Sequence, residues 1–110
     1  MRNINNSVQL IGNLGMNPEI KSLESGKTMA KLSIATSDSY ISKDGEIIKT
    51  TQWHNIIAWN KQAELAEKYL SKGQQVCVAG KLNNRSYEDK DGNKKYITEV
   101  IVDNFMFLRN

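Results

Sequence analysis

Apolar and polar residues alternate with period two along most of the chain, which is the pattern of strands with one buried face. The alternation is cleanest from Thr28 to Thr36, with Ala30, Leu32 and Ile34 on one side and Lys31 and Ser33 on the other. Ser7 to Gly12 predicts a first strand. Gly12-Asn-Leu-Gly-Met-Asn-Pro18 then packs two glycines and the only proline into a bend, before Glu19 to Leu23 resumes an extended path and Ser25-Gly26 turns. From Asp38 to Glu46 the chain reads as a hairpin with its tip at Asp44-Gly45. It returns through Ile47 and Ile48 into Trp53-His-Asn-Ile-Ile-Ala-Trp59. As a strand, this stretch puts Trp53, Asn55, Ile57 and Trp59 on one face and His54, Ile56 and Ala58 on the other. Ile56 and Ala58 suit a core, which leaves the tryptophans on the open side.

The period then changes. Ala63, Ala66 and Leu70 make an apolar helical stripe with Leu65 and Tyr69 beside it, Asn60 as the expected N-cap and Gly73 as the expected stop. Gln75 to Leu82 predicts another strand, which Asn83 to Glu88 extends to a second tip at Asp91-Gly92. Tyr96 to Val102 predicts its return, and Phe105, Phe107 and Leu108 alternate imperfectly to the end. Five strands with one short helix between the third and fourth predict an all-β OB-fold, a five-stranded Greek-key barrel. An SH3-like barrel is the alternative, but it does not usually carry a helix there. Repeats, low-complexity stretches and linkers are absent from the sequence, so residues 1–110 are expected to form one domain.

Composition changes this picture little. Charged residues at 25% and hydrophobic residues at 39% are ordinary for a soluble domain, and a net charge of +3 mildly favours an anionic partner. The single cysteine, Cys77, excludes an internal disulfide, and its setting in Val76-Cys-Val-Ala79 suits a small buried hydrophobe. Met1 to Leu10 lacks the apolar run of a signal peptide, and nothing approaches the ~20 apolar residues of a membrane span. A cytoplasmic, nucleoid-associated protein is the expectation.

Catalytic chemistry finds little footing. One histidine and one cysteine cannot make the usual zinc site, and no Walker-type loop is present. The closest carboxylates, Glu88, Asp89 and Asp91, fall at a hairpin tip where solvated turn residues belong. Alternation sends His54 away from the tryptophans. The sequence thus predicts no enzyme, no metal and no cofactor.

Binding chemistry fares better. Trp53 and Trp59 share a face, and Tyr40 and Tyr87 lie on the arms of the two hairpins in polar surroundings. Rings of this kind stack on nucleobases at ~1–3 kcal/mol each. Lys31, Lys43, Lys49, Lys61, Lys72, Lys81 and Arg85 are the cations placed to neutralise phosphates. The residues alone leave two readings open, a single-strand binder and a protein-interaction barrel whose aromatics are subunit contacts.

Val8-Gln-Leu-Ile-Gly-Asn-Leu-Gly15, Pro18-Glu19, Ala35-Thr-Ser37, Trp53-His54, Ala63-Glu64, Tyr69-Leu70, Lys72-Gly73, Val76, Gly80 and Thr98-Glu-Val100 occur in this order along Asn6 to Val102. Together they resemble the bacterial single-stranded DNA-binding protein family. The resemblance implies an OB-fold homotetramer that wraps single-stranded DNA in replication, recombination and repair. It implies stacking at Tyr40, Trp53, Trp59 and Tyr87, phosphate contacts at Lys43, Lys61, Lys72 and Arg85, and a subunit interface near His54. The family often has tryptophan at the places of Tyr40 and Tyr87 and phenylalanine at that of Trp59, and some relatives carry a positive charge where this chain has Asn55 and Ser86. Family members usually continue into a flexible linker and an acidic tail that recruits replication proteins. This sequence stops at Phe105-Met-Phe-Leu-Arg-Asn110, so tail-mediated partners are not expected of this form, whether truncated or naturally tailless. A related tailless accessory protein of primosome assembly is the nearest rival, and a tetramer would separate the two.

Overall fold

Two glycines in one bend let a single strand serve two neighbours. In the computed structural model, which describes residues 5–107 and only the backbone of Phe107, the elements run β1 (Val8–Leu14), β2 (Glu19–Ser22), β3 (Thr28–Ile41), β4 (Ile47–Trp59), α1 (Lys61–Tyr69), β5 (Gln75–Glu88) and β6 (Lys94–Phe107). The strand order is β1-β5-β6-β4-β3-β2, and β1 also pairs with β3, which closes the barrel. Asn13 and Leu14 of β1 oppose Ala35 and Ile34, while Glu19 to Ser22 of β2 oppose Lys31 to Thr28 along the same edge of β3. β1 and β2 are therefore two lengths of one strand broken at the bend, and the six segments make the expected five-stranded OB barrel. At the closure Gly12 comes so near β3 that a Cβ there would overlap the Ala35 carbonyl oxygen.

The alternating residues fill the barrel. Ala30, Leu32 and Ile34 of β3 meet Ile56 and Ala58 of β4, Val76 and Val78 of β5, and Val100, Val102 and Phe105 of β6. Helix α1 lies against β3, β4 and β6, contributing Ala63 and Ala66, whose small side chains let it approach closely, with Leu70 just beyond it. Cys77 is buried, as its neighbours suggest. Beyond the barrel the β3–β4 and β5–β6 pairs continue as two-stranded ribbons to Ile41↔Ile47 and Glu88↔Lys94.

Four local expectations change. The Asn60 side chain does not cap α1. Its Oδ1 accepts the Thr28 N–H at 3.3 Å instead, and its φ of +50° is a value that asparagine tolerates better than most residues. The helix ends at an extended Leu70, before Gly73, whose φ of +88° serves the return turn and whose N–H donates to Leu14 O at 2.8 Å. β3 continues past Thr36 to Ile41, because the polar Ser37–Ser39 stretch pairs with β4 although neither face is buried there. β6 is continuous from Lys94, with Asp103 as the extra residue of a bulge opposite Ala79 and Gly80. Leu108 and the side chain of Phe107 lie outside the described residues.

Candidate nucleic-acid interface

Strand parity builds one outward face across four strands. The odd-numbered residues of β4, Trp53, Asn55, Ile57 and Trp59, stand opposite Ala35, Ser33, Lys31 and Met29 of β3. On the other side Asn55 and Ile57 oppose Glu99 and Ile101 of β6, which in turn oppose Asn83 and Lys81 of β5. Between Trp59 and Arg85 this face sinks into a groove of about 420 Å³. Ile57 and Ile101 line it with Trp59, Lys21, Lys31 and Arg85 supply its cations, and Asn83 and Glu99 supply polar groups. The face is not uniformly open, because Ile57 is buried and Trp59 is half-buried.

Trp53 is 61% exposed, yet it is not loose. Its six-membered ring rests on Gly15 in the β1–β2 bend, where a Cβ would overlap Cζ3 and lie 2.9 Å from Cη2. The Gly15 N–H donates to Ser33 O at 2.9 Å, which ties that seat to β3. Where β4 and β6 part, Trp53 also borders a smaller hollow of about 160 Å³ with Asn55, Thr98 and Glu99.

One ion pair dominates the electrostatics. Arg85 Nε donates to Glu99 Oε1 at 2.9 Å, with Glu99 almost sealed and Arg85 half-exposed. The pair fixes the guanidinium over the groove and offsets part of its charge. Lys21 lies 3.9 Å from Glu19 in an exposed pair of little energetic consequence. Lys31 makes no ion pair among the described residues, so its whole charge faces the groove.

The predicted residues divide into three groups. Lys31, Trp53, Trp59, Lys81 and Arg85 share the central face. Lys49 and Tyr87 continue its parity along the two ribbons, while Lys43 is at the β3–β4 tip. Tyr40 is exposed, but its position opposite Ile48 puts it on the other side of its ribbon from Trp53. Lys61 opens α1 beside Trp59, and Lys72 lies in the turn whose backbone N–H donates to Asn17 Oδ1 at 2.8 Å. His54 is half-buried off this face, with Nε2 2.9 Å from Thr36 Oγ1.

Sequence reasoning missed Lys21, Asn83 and Glu99. The alternation of Glu19-Ile-Lys21 around the inward Ile20 was the available signal for Lys21. The roles of Asn83 and Glu99 depend on long-range register. Tyr96, exposed opposite Ser86 with Lys94 Nζ 5.6 Å from its ring centre, was hidden in a stretch that reads simply as strand. Among the described residues no three His, Cys, Asp or Glu side chains are grouped so as to hold a metal ion, and no helix is long and apolar enough to cross a membrane.

Comparison with known proteins agrees with this geometry. The sequence profile of the single-strand binding protein family matches residues 5–108. Single-stranded DNA-binding protein 1 of Chlorobaculum tepidum is 40% identical over 104 residues, covering 94% of this chain and 64% of the relative. The Single-stranded DNA-binding protein of Bacteroides thetaiotaomicron is 43% identical over 105 residues, covering 94% and 65%. The chain thus spans slightly less than two thirds of these relatives. Among solved structures, a Plasmodium falciparum SSB in complex with ssDNA is similar, with a TM-score of 0.85, 34% identity and coverage of 94% of this chain and 95% of that one.

Proposed function

Because the chain belongs to the single-strand binding protein family, we propose that it is a non-enzymatic OB-fold domain that binds single-stranded DNA with little sequence preference. Its role is to hold and protect the unpaired strand in replication, recombination and repair, in association with the nucleoid. The observation that carries this reading is the outward face on which Trp53 and Trp59 flank polar and cationic groups across four paired strands. A duplex hides its base faces in its own stack, whereas a single strand can lay them on exposed rings. Trp53 and Trp59 are the central platforms, Tyr87 extends the path along the β5–β6 ribbon, and Tyr40, on the reverse side of the β3–β4 ribbon, takes a base where the strand wraps round that ribbon. Lys31, Lys49, Lys81 and Arg85 accompany the phosphates, with Lys43, Lys61 and Lys72 at the margins.

The same reading makes residues 1–110 one binding domain that assembles as a homotetramer. Supporting this, among the described residues β1 pairs with β3 only at Asn13 and Leu14, and its edge from Val8 to Gly12, beside the exposed Ile11, pairs with none of them on that side and can take a second copy. His54 belongs to the subunit contact. Light scattering should return four times 12.5 kDa.

The function is tested by measuring the affinity of one oligonucleotide, alone and as a duplex, over a salt series. The single strand should bind far more tightly. Four engaged phosphates give a log–log salt slope of about −3, from ~0.7 for each. Equal affinity for the duplex, or no complex at low salt, would overturn the reading.

A further inference from the structure

The far end of the β3–β4 ribbon carries an apolar pair that the barrel core does not use. Ile41 and Ile47 stand opposite each other as its last rung. Ile41 is 73% exposed and Ile47 68%, more than any other large aliphatic side chain among the described residues. The turn behind them is closed by hydrogen bonds from Ser42 N–H to Glu46 O at 2.8 Å and from Gly45 N–H to Ser42 O at 3.0 Å, with Gly45 at a φ of +83°. The pair is thus held on a defined end of the ladder. Cross-strand packing alone does not call for it. Threonine, which the ribbon has at Thr50 and Thr51, is also β-branched and holds a strand while presenting less aliphatic surface to water.

Strand parity points to what covers the pair. Odd-numbered residues of the two strands share one side of the ribbon, so Ile41 and Ile47 lie on the side of Trp53. Between Trp53 and the pair, this side carries Ser37 opposite Thr51 and Ser39 opposite Lys49. Those are hydroxyls and an ammonium group, with no carboxylate among them. Asp38 falls with Tyr40 and Ile48 on the reverse side, and Asp44 and Glu46 belong to the turn. Hydroxyl and ammonium groups donate to phosphate oxygens. The stretch from Ile47 to Trp53 spans ~20 Å of strand. A single strand with a base on Trp53 therefore meets phosphate donors along the ribbon and an apolar surface at its end, where it turns to reach Tyr40. We propose that Ile41 and Ile47 form an aliphatic pad that takes the face of one unpaired base between Trp53 and Tyr40. The proposal rests on the chain being a single-strand binder. It adds a base contact that depends on apolar burial and not on charge.

The test compares the wild-type protein with the double variant Ile41→Thr/Ile47→Thr, which keeps β-branching at both positions. Each is titrated with oligo(dT) of about 16 nucleotides over a salt series. Kd should rise about fivefold at every salt concentration, with the log–log slope unchanged. Lys49→Ala, by contrast, should reduce the slope by ~0.7. Ile47→Phe, which offers a ring for stacking, should bind at least as tightly as the wild type. A folded double variant with the wild-type Kd overturns the proposal, and so does a loss that disappears at high salt. A double variant whose mass by light scattering changes without DNA, while its Kd does not, makes the pair a contact between protein copies and overturns the proposal. If the double variant does not fold, Ile47→Phe decides the matter, and weaker binding than the wild type overturns the proposal. Failure of the wild-type protein to bind oligo(dT) at low salt overturns the single-strand reading itself, and the pad with it.

Discussion

Replacing Gly15 by Ala should separate binding from folding. Gly15 does not have a positive φ, so alanine fits its backbone, and the loss of unfolded-state freedom favours the folded chain by ~0.4–1 kcal/mol. The new methyl group occupies the place of the Trp53 ring edge. Carbon contacts settle at about 3.5–4.0 Å, so the ring must move by roughly 1 Å or more. With 61% of Trp53 exposed, the ring can swing outward without breaking the core. Stability should therefore change by less than about 1 kcal/mol. A displaced platform forfeits a large part of the ~1–3 kcal/mol of stacking, which puts the loss of single-strand affinity at about five- to tenfold. Urea unfolding gives the first quantity and fluorescence anisotropy with a labelled oligonucleotide gives the second. A double-mutant cycle adds the specific check, since in a Trp53→Ala background Gly15→Ala should have no further effect on affinity. An equal loss in both backgrounds would refute the account of Gly15 as the seat of Trp53. Destabilisation by about 3 kcal/mol or more would refute the claim that the ring yields freely.

Gly12→Ala, three residues earlier, should do the opposite. Its Cβ would overlap the backbone oxygen of Ala35 and crowd Cγ2 of the fully buried Ile34, neither of which can swing aside, so equilibrium unfolding should show a loss of about 3 kcal/mol. Lys31→Ala should reduce the salt slope by ~0.7 and leave the unfolding midpoint nearly unchanged, because among the described residues Lys31 has no ion-pair partner to strand. Arg85→Ala should lower both the slope and the stability. It leaves the Glu99 carboxylate without its partner, at a cost of roughly 1–2 kcal/mol once the half-exposure of Arg85 is allowed for.

The parts of this molecule that local pattern controls were legible in its sequence. Alternation placed Ile56 and Ala58 in the core and the two tryptophans on the other face, and the two glycines with Pro18 marked the break between β1 and β2. What alternation could not convey was register between distant strands. That Asn55, Glu99 and Asn83 share a rung follows from a parallel β4–β6 pairing which nothing local specifies. The same holds for Gly15, whose proximity to Trp53 exists only after the barrel closes. Asn60 looked like a helix cap because its neighbours are helical, but a turn needing positive φ claimed it first. Tyr40 was legible as exposed. Its side of the ribbon was not, because past Thr36 the hairpin arm has no buried face and alternation no longer marks which side is which.

The claim that Trp53 and Trp59 are the binding platforms is tested most directly by their own fluorescence during titration with oligo(dT), in the wild-type protein and in Trp53→Ala and Trp59→Ala. Strong quenching should accompany binding in the wild-type protein. Each variant, which keeps one tryptophan, should quench less in total and bind about five- to a hundredfold more weakly, the equivalent of ~1–3 kcal/mol of stacking. Binding at full strength with unquenched fluorescence, or variants that bind as tightly as the wild type, would contradict the account and move the DNA path off this face.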